Sequence, residues 1–356
     1  MNKFFEAYSL KSDVVAAAVS GGADSLALIL RLHDWAKTHQ VKVIALTVDH
    51  RLRLESRAEA EYVAQLMRQH GIEHHILIWE GEKPQSDVEA EAREARYDLL
   101  CGWCHQHGVT TLAVGHHCRD QAETFLLRLQ RGSGLYGLSG ILPVTNRNGI
   151  EIIRPQLNDN PDDLKAYLRE RQIEWVEDPS NQCEDYQRVR MRKFLPQLEQ
   201  RTGISVQRLA ETAAVLARTR SYFEDKIAGL IANHVRWWHG AAVSVSRSVL
   251  LAQHEEIRYR LLSELIMRIG GQTYAPEADE VLRLSWYLEN PDFSGCTLGH
   301  CEIFESRNKL WIVPEDRSAK VMTTAEWDKC LKSVPQYAKS NLPYKVRRAI
   351  YNQVMK

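Results

Sequence analysis

The segment that most restricts this chain is a glycine-rich turn, Ser20-Gly21-Gly22-Ala23-Asp24-Ser25, set between an apolar run at residues 14–19 and a stretch of helical spacing at residues 26–35. A continuous apolar run of this kind predicts a strand buried on both faces, and therefore a parallel sheet. Strand, glycine turn and helix in that order supply what a phosphate cradle requires. The adjacent glycines allow positive φ and close approach of the backbone, while Ser20, Ser25 and the first helical amides can donate to phosphate oxygens along the helix dipole. The turn is not a Walker loop, because it has neither the Gly-Lys-Ser/Thr ending nor the spacer of that motif. An acidic Asp24 inside a phosphate loop would repel a nucleotide unless a cation lay between them, which makes it the expected Mg2+ ligand. Glycines that only shape a tight strand-to-helix turn are the plainer alternative, and this segment alone does not decide between them.

The alternation continues along the chain. Residues 41–48 form a second apolar strand ending in Asp49-His50-Arg51-Leu52-Arg53, and Ser56 with Glu59 has the spacing of a capping box opening a helix that Gly71 closes. Residues 75–79 predict a third strand, and Ser86 with Glu89 a second capping box opening a helix over 87–107. A fourth strand at 110–114 precedes a helix at 120–131, a fifth strand falls at 150–153, and Asn160-Pro161 opens a helix reaching Arg171. This rhythm predicts an α/β fold, a doubly wound parallel sheet whose ligands sit at the carboxyl ends of the strands. A long helical segment at 206–231 then serves as a connector. A strand at 242–246, helices at 255–269 and 276–287, and paired strands at 297–304 and 309–313 predict a smaller, mainly helical α+β domain. The tail after Pro314 shows no clear period. The expected domains are 1–215, 216–320 and a tail at 321–356.

The 46 basic and 46 acidic residues balance, so no whole-chain field draws in nucleic acid and any such partner must meet local basic patches. The densest patch is Arg188, Arg190, Arg192 and Lys193; a solvated helix face balanced by Glu184, Asp185 and Glu199 is its plainer explanation. The first residues lack the apolar centre of a signal peptide and no apolar run approaches membrane-spanning length, so no membrane partner and a cytoplasmic location are expected. Seven scattered cysteines suggest reduced thiols. Cys101 and Cys104 form a Cys-x-x-Cys, but no second pair is placed to complete a tetrahedral metal site.

Past the fourth strand, Gly115-His116-His117-Cys118-Arg119-Asp120-Gln121-Ala122-Glu123-Thr124 gathers titratable groups at the expected ligand edge. Asp120 as an N-cap with Glu123 as its capping-box partner is a structural reading that does not exclude function. A metal site built from the two histidines is the lesser alternative, since adjacent side chains seldom point the same way. Arg128 follows, and then Arg131-Gly132-Ser133-Gly134, an arginine-led glycine loop suited to a phosphate or a ribose-phosphate strand.

Taken together, Ser20 to Ser25, Val48-Asp49-His50-x-Leu52-Arg53, Ala92-Arg93-x-x-Arg96-Tyr97, His116-His117-x-x-Asp120-Gln121-x-Glu123-Thr124, Arg131-Gly132-Ser133-Gly134, and Asp178-Pro179-Ser180-Asn181 with the run from Tyr186 to Arg192 resemble the tRNA(Ile)-lysidine synthetase family of PP-loop ATP pyrophosphatases. The motifs follow family order. The resemblance implies ATP and Mg2+ as cofactors, and free L-lysine and a tRNA(Ile) with a CAU anticodon as partners. A second copy of the chain is a further candidate partner. It implies ATP contacts at Ser20, Gly21, Gly22, Ala23, Asp24, Ser25, Asp49 and His50. Catalysis would fall to Asp24, Asp120, Glu123, His117 and Arg128, and tRNA contacts to Arg93, Arg96, Arg131, Arg188, Arg190, Arg192 and Lys193. The chain departs from the family at Arg119, Val189 and Gly299-His300, and stops short of the further C-terminal domain of longer relatives, so its tail is expected to be a truncated or absent third domain. Two rivals share the fold. A tRNA thiolase would give Cys101 and Cys104 a role, although in the similar two-thiocytidine synthetases the pair precedes the arginine-rich helix instead of following it. A catalytically silent tRNA-binding protein would have little reason to keep Asp24, Asp120 and Glu123.

Overall fold

A computed structural model describes residues 1–52, 55–81, 83, 88–177, 187–316 and 321–355. They divide into two compact units, Met1–Arg220 and Ser221–Lys356. The first unit runs α1 (Asn2–Ala7), β1 (Val14–Ala18), α2 (Ala23–His39), β2 (Lys42–Asp49), α3 (Ser56–Gln69), β3 (Glu73–Ile78), α4 (Val88–Gln106) and β4 (Thr111–Ala113). It continues through α5 (Cys118–Gln130), α6 (Leu135–Leu138), β5 (Val144–Arg147), β6 (Ile150–Ile153), α7 (Pro161–Glu170) and α8 (Gln187–Thr202), and α9 (Val206–His234) carries the chain into the second unit.

The sheet order is β3-β2-β1-β4-β6-β5, with β1 paired in parallel to both β2 and β4. Period-two alternation sends the side chains of β1 to two separate cores. Val15, Ala17 and Val19 face Leu26, Ile29, Val63, Met67, Leu164 and Leu168 of α2, α3 and α7. Ala16 and Ala18 face Leu100, Cys101 and Cys104 of α4 together with Leu46, Leu112 and Ile152. Helices on both faces make this the expected doubly wound sheet. Cys101 and Cys104 are buried packing residues, and burial pushes the Cys104 thiol up to about 12.

The structure amends several local expectations. No capping hydrogen bond forms from Ser56; α3 begins there, with Glu55 as its N-cap. Helix α5 starts earlier than predicted, because His117, not Asp120, is its N-cap. The edge strand β5 was not anticipated, although its signal is present: Asn148-Gly149, with φ of 52° and 85°, makes a two-residue turn joining β5 to β6 as an antiparallel hairpin. At α7 the expected cap is present, with Asn160 accepting from the Asp162 amide and Pro161 in the first turn. Ser86 and residues 178–181 lie outside the described residues.

The second unit contains β7 (Val235–Trp238), β8 (Ala242–Ser246), α10 (Arg247–Leu251), α11 (Glu255–Gly270), α12 (Ala278–Tyr287), β9 (Cys296–Leu298), β10 (Cys301–Ser306), β11 (Lys309–Pro314), α13 (Thr324–Leu331) and α14 (Tyr344–Val354). Its antiparallel sheet is ordered β7-β8-β11-β10-β9. The run expected as one strand at 297–304 is a hairpin instead, because Gly299 and His300 turn with φ of 56° and 60°. One sheet face carries Leu261, Leu265 and Ile266 of α11. The other is covered by the tail, where Trp327, Cys330, Val346 and Ile350 pack on Trp238, Trp311 and Val313. The tail thus has helices where no period was legible, one of them opened by a Thr323/Glu326 capping box.

One buried polar contact in the first unit responds to pH. The Thr47 hydroxyl donates to the Val19 carbonyl at 2.8 Å, and His74 Nε2 lies 2.8 Å from Thr47 Oγ1. Burial, with the neighbouring His75 charge, lowers His74 from 6.5 to about 4. A native state that refuses this proton is fully favoured above the ordinary value and loses that advantage as pH falls through the window between 6.5 and about 4. The midpoint of urea unfolding should therefore drop across that window more steeply in the native protein than in a His74→Gln variant; parallel pH profiles would exclude the effect.

Candidate functional site

The cradle at the carboxyl end of β1 is held by main chain on several sides. Gly21 has φ of 86°, and a Cβ there would lie 3.2 Å from Val63 Cγ2. The carbonyl of Gly21 accepts from the Val176 amide at 2.9 Å. A Cβ on Gly115, beyond β4, would lie 3.1 Å from the Asp24 carbonyl oxygen and 3.2 Å from the Ser25 nitrogen, so glycine lets these backbones meet without displacing the turn. Gln156 Nε2 donates to the Asp24 carbonyl at 2.7 Å. Within the loop, the Ser20 amide donates to Ser25 Oγ at 3.0 Å, and Ser25 Oγ donates to the Gly22 carbonyl at 3.0 Å. Gly22 caps α2 and has no side chain to offer, which leaves the first amides of the helix directed at whatever enters the cradle.

A cavity of about 160 Å3 opens beside the cradle, lined by residues that include Ser20, Thr47, Val48, His50, Ser56 and Arg96. Asp49 is buried and accepts from the Arg51 amide at 3.0 Å, which fixes the turn that presents His50. Burial, followed by the charges of Arg96 and Lys83, lowers the His50 pKa, so its ring stays neutral, and its buried Nδ1 has no partner. A neutral ring edge and unpartnered polar atoms suit a nucleoside.

His117 links the cradle to α5. Its ring reaches Asp24 Oδ2 from Nε2 at 3.3 Å, its Nδ1 accepts from the Asp120 amide at 3.3 Å, and Asp120 Oδ2 accepts from the His117 amide at 3.0 Å. This is a reciprocal capping box with histidine in the capping position. Burial lowers the His117 pKa, but the Asp24 hydrogen bond and the charges of Asp120, Asp24 and Glu123 outweigh it, and the net shift is upward. Asp24 Oδ1 is buried without a partner. No cluster of three His, Cys, Asp or Glu side chains forms a metal cage among the described residues. One orphaned carboxylate oxygen next to a phosphate cradle nevertheless fits Mg2+, which binds through one or two carboxylates together with substrate phosphates and waters.

The remaining sequence candidates separate. Glu123 is fully buried and accepts from Arg192 Nε at 2.7 Å, so Arg192 neutralises an acid at the site. Burial raises the Glu123 pKa and the Arg192 pairing opposes the rise. Arg128 donates to the carbonyls of Gly137 and Gly140 at 2.7 and 2.8 Å, and Gln121 exchanges two hydrogen bonds with the backbone of Ile141, so both side chains shape the glycine loop. Arg131 donates to Gln187 at 3.2 Å. Arg190 and Lys193 are exposed on α8, Arg93 is exposed on α4, and Arg188 is half-buried. Sequence reasoning missed Gln156, Gly115 and Val176 as positioning residues. A glutamine soon after the end of a strand was the available signal for the first, whereas Val176 had none.

A parallel sheet whose first strand-to-helix turn is a doubly braced Ser-Gly-Gly-Ala-Asp-Ser cradle defines a PP-loop protein, and the PP-loop domain family matches residues 1–199. The tRNA(Ile)-lysidine synthase of Wolbachia pipientis wMel is 34% identical over 324 residues, spanning 88% of this chain and 75% of that protein. The enzyme of the same name from Ruegeria pomeroyi is 36% identical over 317 residues with the same coverage of 88% and 75%, and that of Hyphomonas neptunium 35% identical over 309 residues, covering 85% and 81%. Among solved structures, a U34-tRNA thiolase from Methanococcus maripaludis aligns with a TM-score of 0.50 at 16% identity, covering 63% of this chain and 77% of that one, a likeness of fold alone. The chain belongs to the tRNA(Ile)-lysidine synthase family.

The orphaned oxygen of Asp24 yields a direct test. Asp24→Asn removes charge at a loop and leaves core packing untouched, so its thermal midpoint should stay close to native while ATP-dependent pyrophosphate release falls by about 100-fold or more. Equal pyrophosphate release by the two proteins would remove Asp24 from the site.

Proposed function

We propose that the protein joins free L-lysine to carbon 2 of the wobble cytidine in a tRNA(Ile) with a CAU anticodon, using ATP, and so forms lysidine. The observation that carries this reading is the chain of contacts from the phosphate cradle through Asp24 and His117 to Asp120, within a member of this family. The carbonyl oxygen of cytosine is a poor leaving group. Attack by that oxygen on the α-phosphorus of ATP expels pyrophosphate and makes the oxygen the bridging atom to AMP. The lysine amine then bonds to carbon 2, and the former carbonyl oxygen departs within AMP.

Each part of the site has a task in this scheme. The amides at the start of α2, with Ser20 and Ser25, hold the phosphates, and the cavity beside His50 takes the nucleoside. Mg2+ bound at Asp24 would supply charge neutralisation on the pyrophosphate. Lysine arrives as an ammonium and must lose a proton before it attacks; in this scheme Asp120 takes it, with His117 holding Asp120 and Asp24 in position. The buried Glu123 pairs with Arg192 and ties α8 to α5 beside the site, leaving Asp24 and Asp120 as the acids that face a cationic substrate. No helix among the described residues is long and apolar enough to cross a membrane.

The decisive experiment incubates the protein with ATP, Mg2+, radiolabelled lysine and bulk bacterial tRNA. Label is expected in the RNA, dependent on ATP and on the CAU-anticodon species, and its absence would refute the reading. A sulfur-transfer role predicts a different result. Cys101 and Cys104 are 3% and 0% exposed and pack in the α4 core. A Cys101→Ala, Cys104→Ala double variant should lose about 1–3 kcal/mol of stability and still turn over at low temperature. A folded but inactive double variant would reopen the thiolase alternative.

A further inference from the structure

A run of hydrogen bonds enters the phosphate cradle from the edge of the sheet, and the scheme above gives its outer end no task. His74 lies on β3, Thr47 on the neighbouring β2, and Val19 directly after β1. The Thr47 hydroxyl has one proton and gives it to the Val19 carbonyl at 2.8 Å. The 2.8 Å contact between His74 Nε2 and Thr47 Oγ1 therefore requires the ring to donate. Burial and the neighbouring His75 charge lower His74 to about 4, so the ring is neutral near neutral pH and its single proton resides on Nε2.

The other end of the same peptide is held as well. The Val19 oxygen and the Ser20 nitrogen belong to one planar amide. The Ser20 amide donates to Ser25 Oγ at 3.0 Å, and Ser25 Oγ donates to the Gly22 carbonyl at 3.0 Å. Donation runs in one sense throughout, from the imidazole N–H to the Thr47 hydroxyl, across the Val19–Ser20 amide to the Ser25 hydroxyl, and on to Gly22. Hydrogen bonds arranged head to tail polarise and strengthen one another. The peptide that leads into the glycine turn is thus fixed at its oxygen by β2 and at its nitrogen by α2, and β3 orients the first of these. Without the imidazole, Thr47 Oγ1 would lose its donor at a site only 4% exposed, and the hydroxyl would be free to turn away from Val19.

We propose that His74 is a positioning residue for the phosphate loop: its Nε2–H tautomer aligns Thr47, and through Thr47 the Val19–Ser20 peptide and Ser25, for the phosphates of ATP. This assignment rests on the reading of the cradle as an ATP site. Val19, Ser20 and Thr47 line the nucleoside cavity, whereas His74 stands outside that lining, so replacing it removes no direct ligand contact there.

The test measures dissociation constants for ATP with Mg2+ and for adenosine, without tRNA, in the native protein, His74→Gln and His74→Leu. Glutamine can present an amide donor where Nε2 stands, and leucine fills the space without donating. His74→Leu is expected to weaken ATP binding about fivefold, in line with one neutral hydrogen bond, while His74→Gln stays within about twofold of native. Adenosine, which lacks the phosphates, should bind all three proteins alike. In ring-nitrogen NMR spectra of the native protein at neutral pH, the His74 signal, identified by its loss in His74→Gln, should show the proton on Nε2. A proton on Nδ1, an unchanged ATP constant in His74→Leu, equal losses for ATP and adenosine, or a glutamine variant as impaired as the leucine one would each overturn the assignment. Failure of the ATP reading itself is seen separately, as a native protein that binds no ATP.

Discussion

The approach of the Gly115 backbone to the first turn of α2 is the contact on which the site depends. Two main chains that follow adjacent strands meet where a side chain would force the backbone to shift, and Gln156 and Val176 fasten the same turn from the following segments. The cradle is therefore located by covalent geometry and packing, not by flexible side chains. Asp24 inherits that rigidity, as does His117, which is locked by the capping box two residues beyond Gly115. A phosphate loop built this way needs little reordering when it binds, which conserves binding energy for the chemical step.

Around this fixed point the charges separate into opposed fields. Asp24, Asp120 and Glu123 gather on the α2 and α5 side, with Arg192 compensating only the most buried of them. Arg93, Arg96, Arg154 and Arg188, which have no carboxylate partner among the described residues, act on His116, and His116 and His117, adjacent in sequence, have pKa shifts of opposite sign. The acids lower the tendency of His117 to deprotonate, while burial, reinforced by the arginines, disfavours protonation of His116. A chain of zero net charge thus keeps acids and arginines within a short stretch of the same sheet edge.

Much of this was legible in the sequence, for reasons that differ by element. The apolar runs of β1, β2 and β4 are buried on both faces, so composition alone locates them, and the glycine turn after β1 has few other uses. The hairpins at Asn148-Gly149 and Gly299-His300 were missed because a local turn competes with the longer apolar pattern around it. Histidine as the cap of α5 escaped because an aspartate three residues later offers the commoner capping chemistry. At the site, loop and acids could be read from spacing, but the Glu123 and Arg192 pair joins residues 69 positions apart, and no local pattern encodes such a partnership. The tail's helices were hidden for a similar reason, since their apolar residues answer to a sheet face assembled by distant segments.

The burial of the cysteines also sets how the protein meets an oxidising environment. Of the seven cysteines, the six among the described residues are Cys101, Cys104, Cys118, Cys301 and Cys330, which are buried, and Cys296, which is half-buried, and burial raises each of their thiols. With Cys104 at about 12, its thiolate fraction at neutral pH is on the order of one in 100,000, and it is the thiolate that peroxides and electrophiles attack. The described thiols thus serve the scaffold as packing groups. Oxidative stress that silences thiol-dependent enzymes should therefore leave the packing around these six thiols intact.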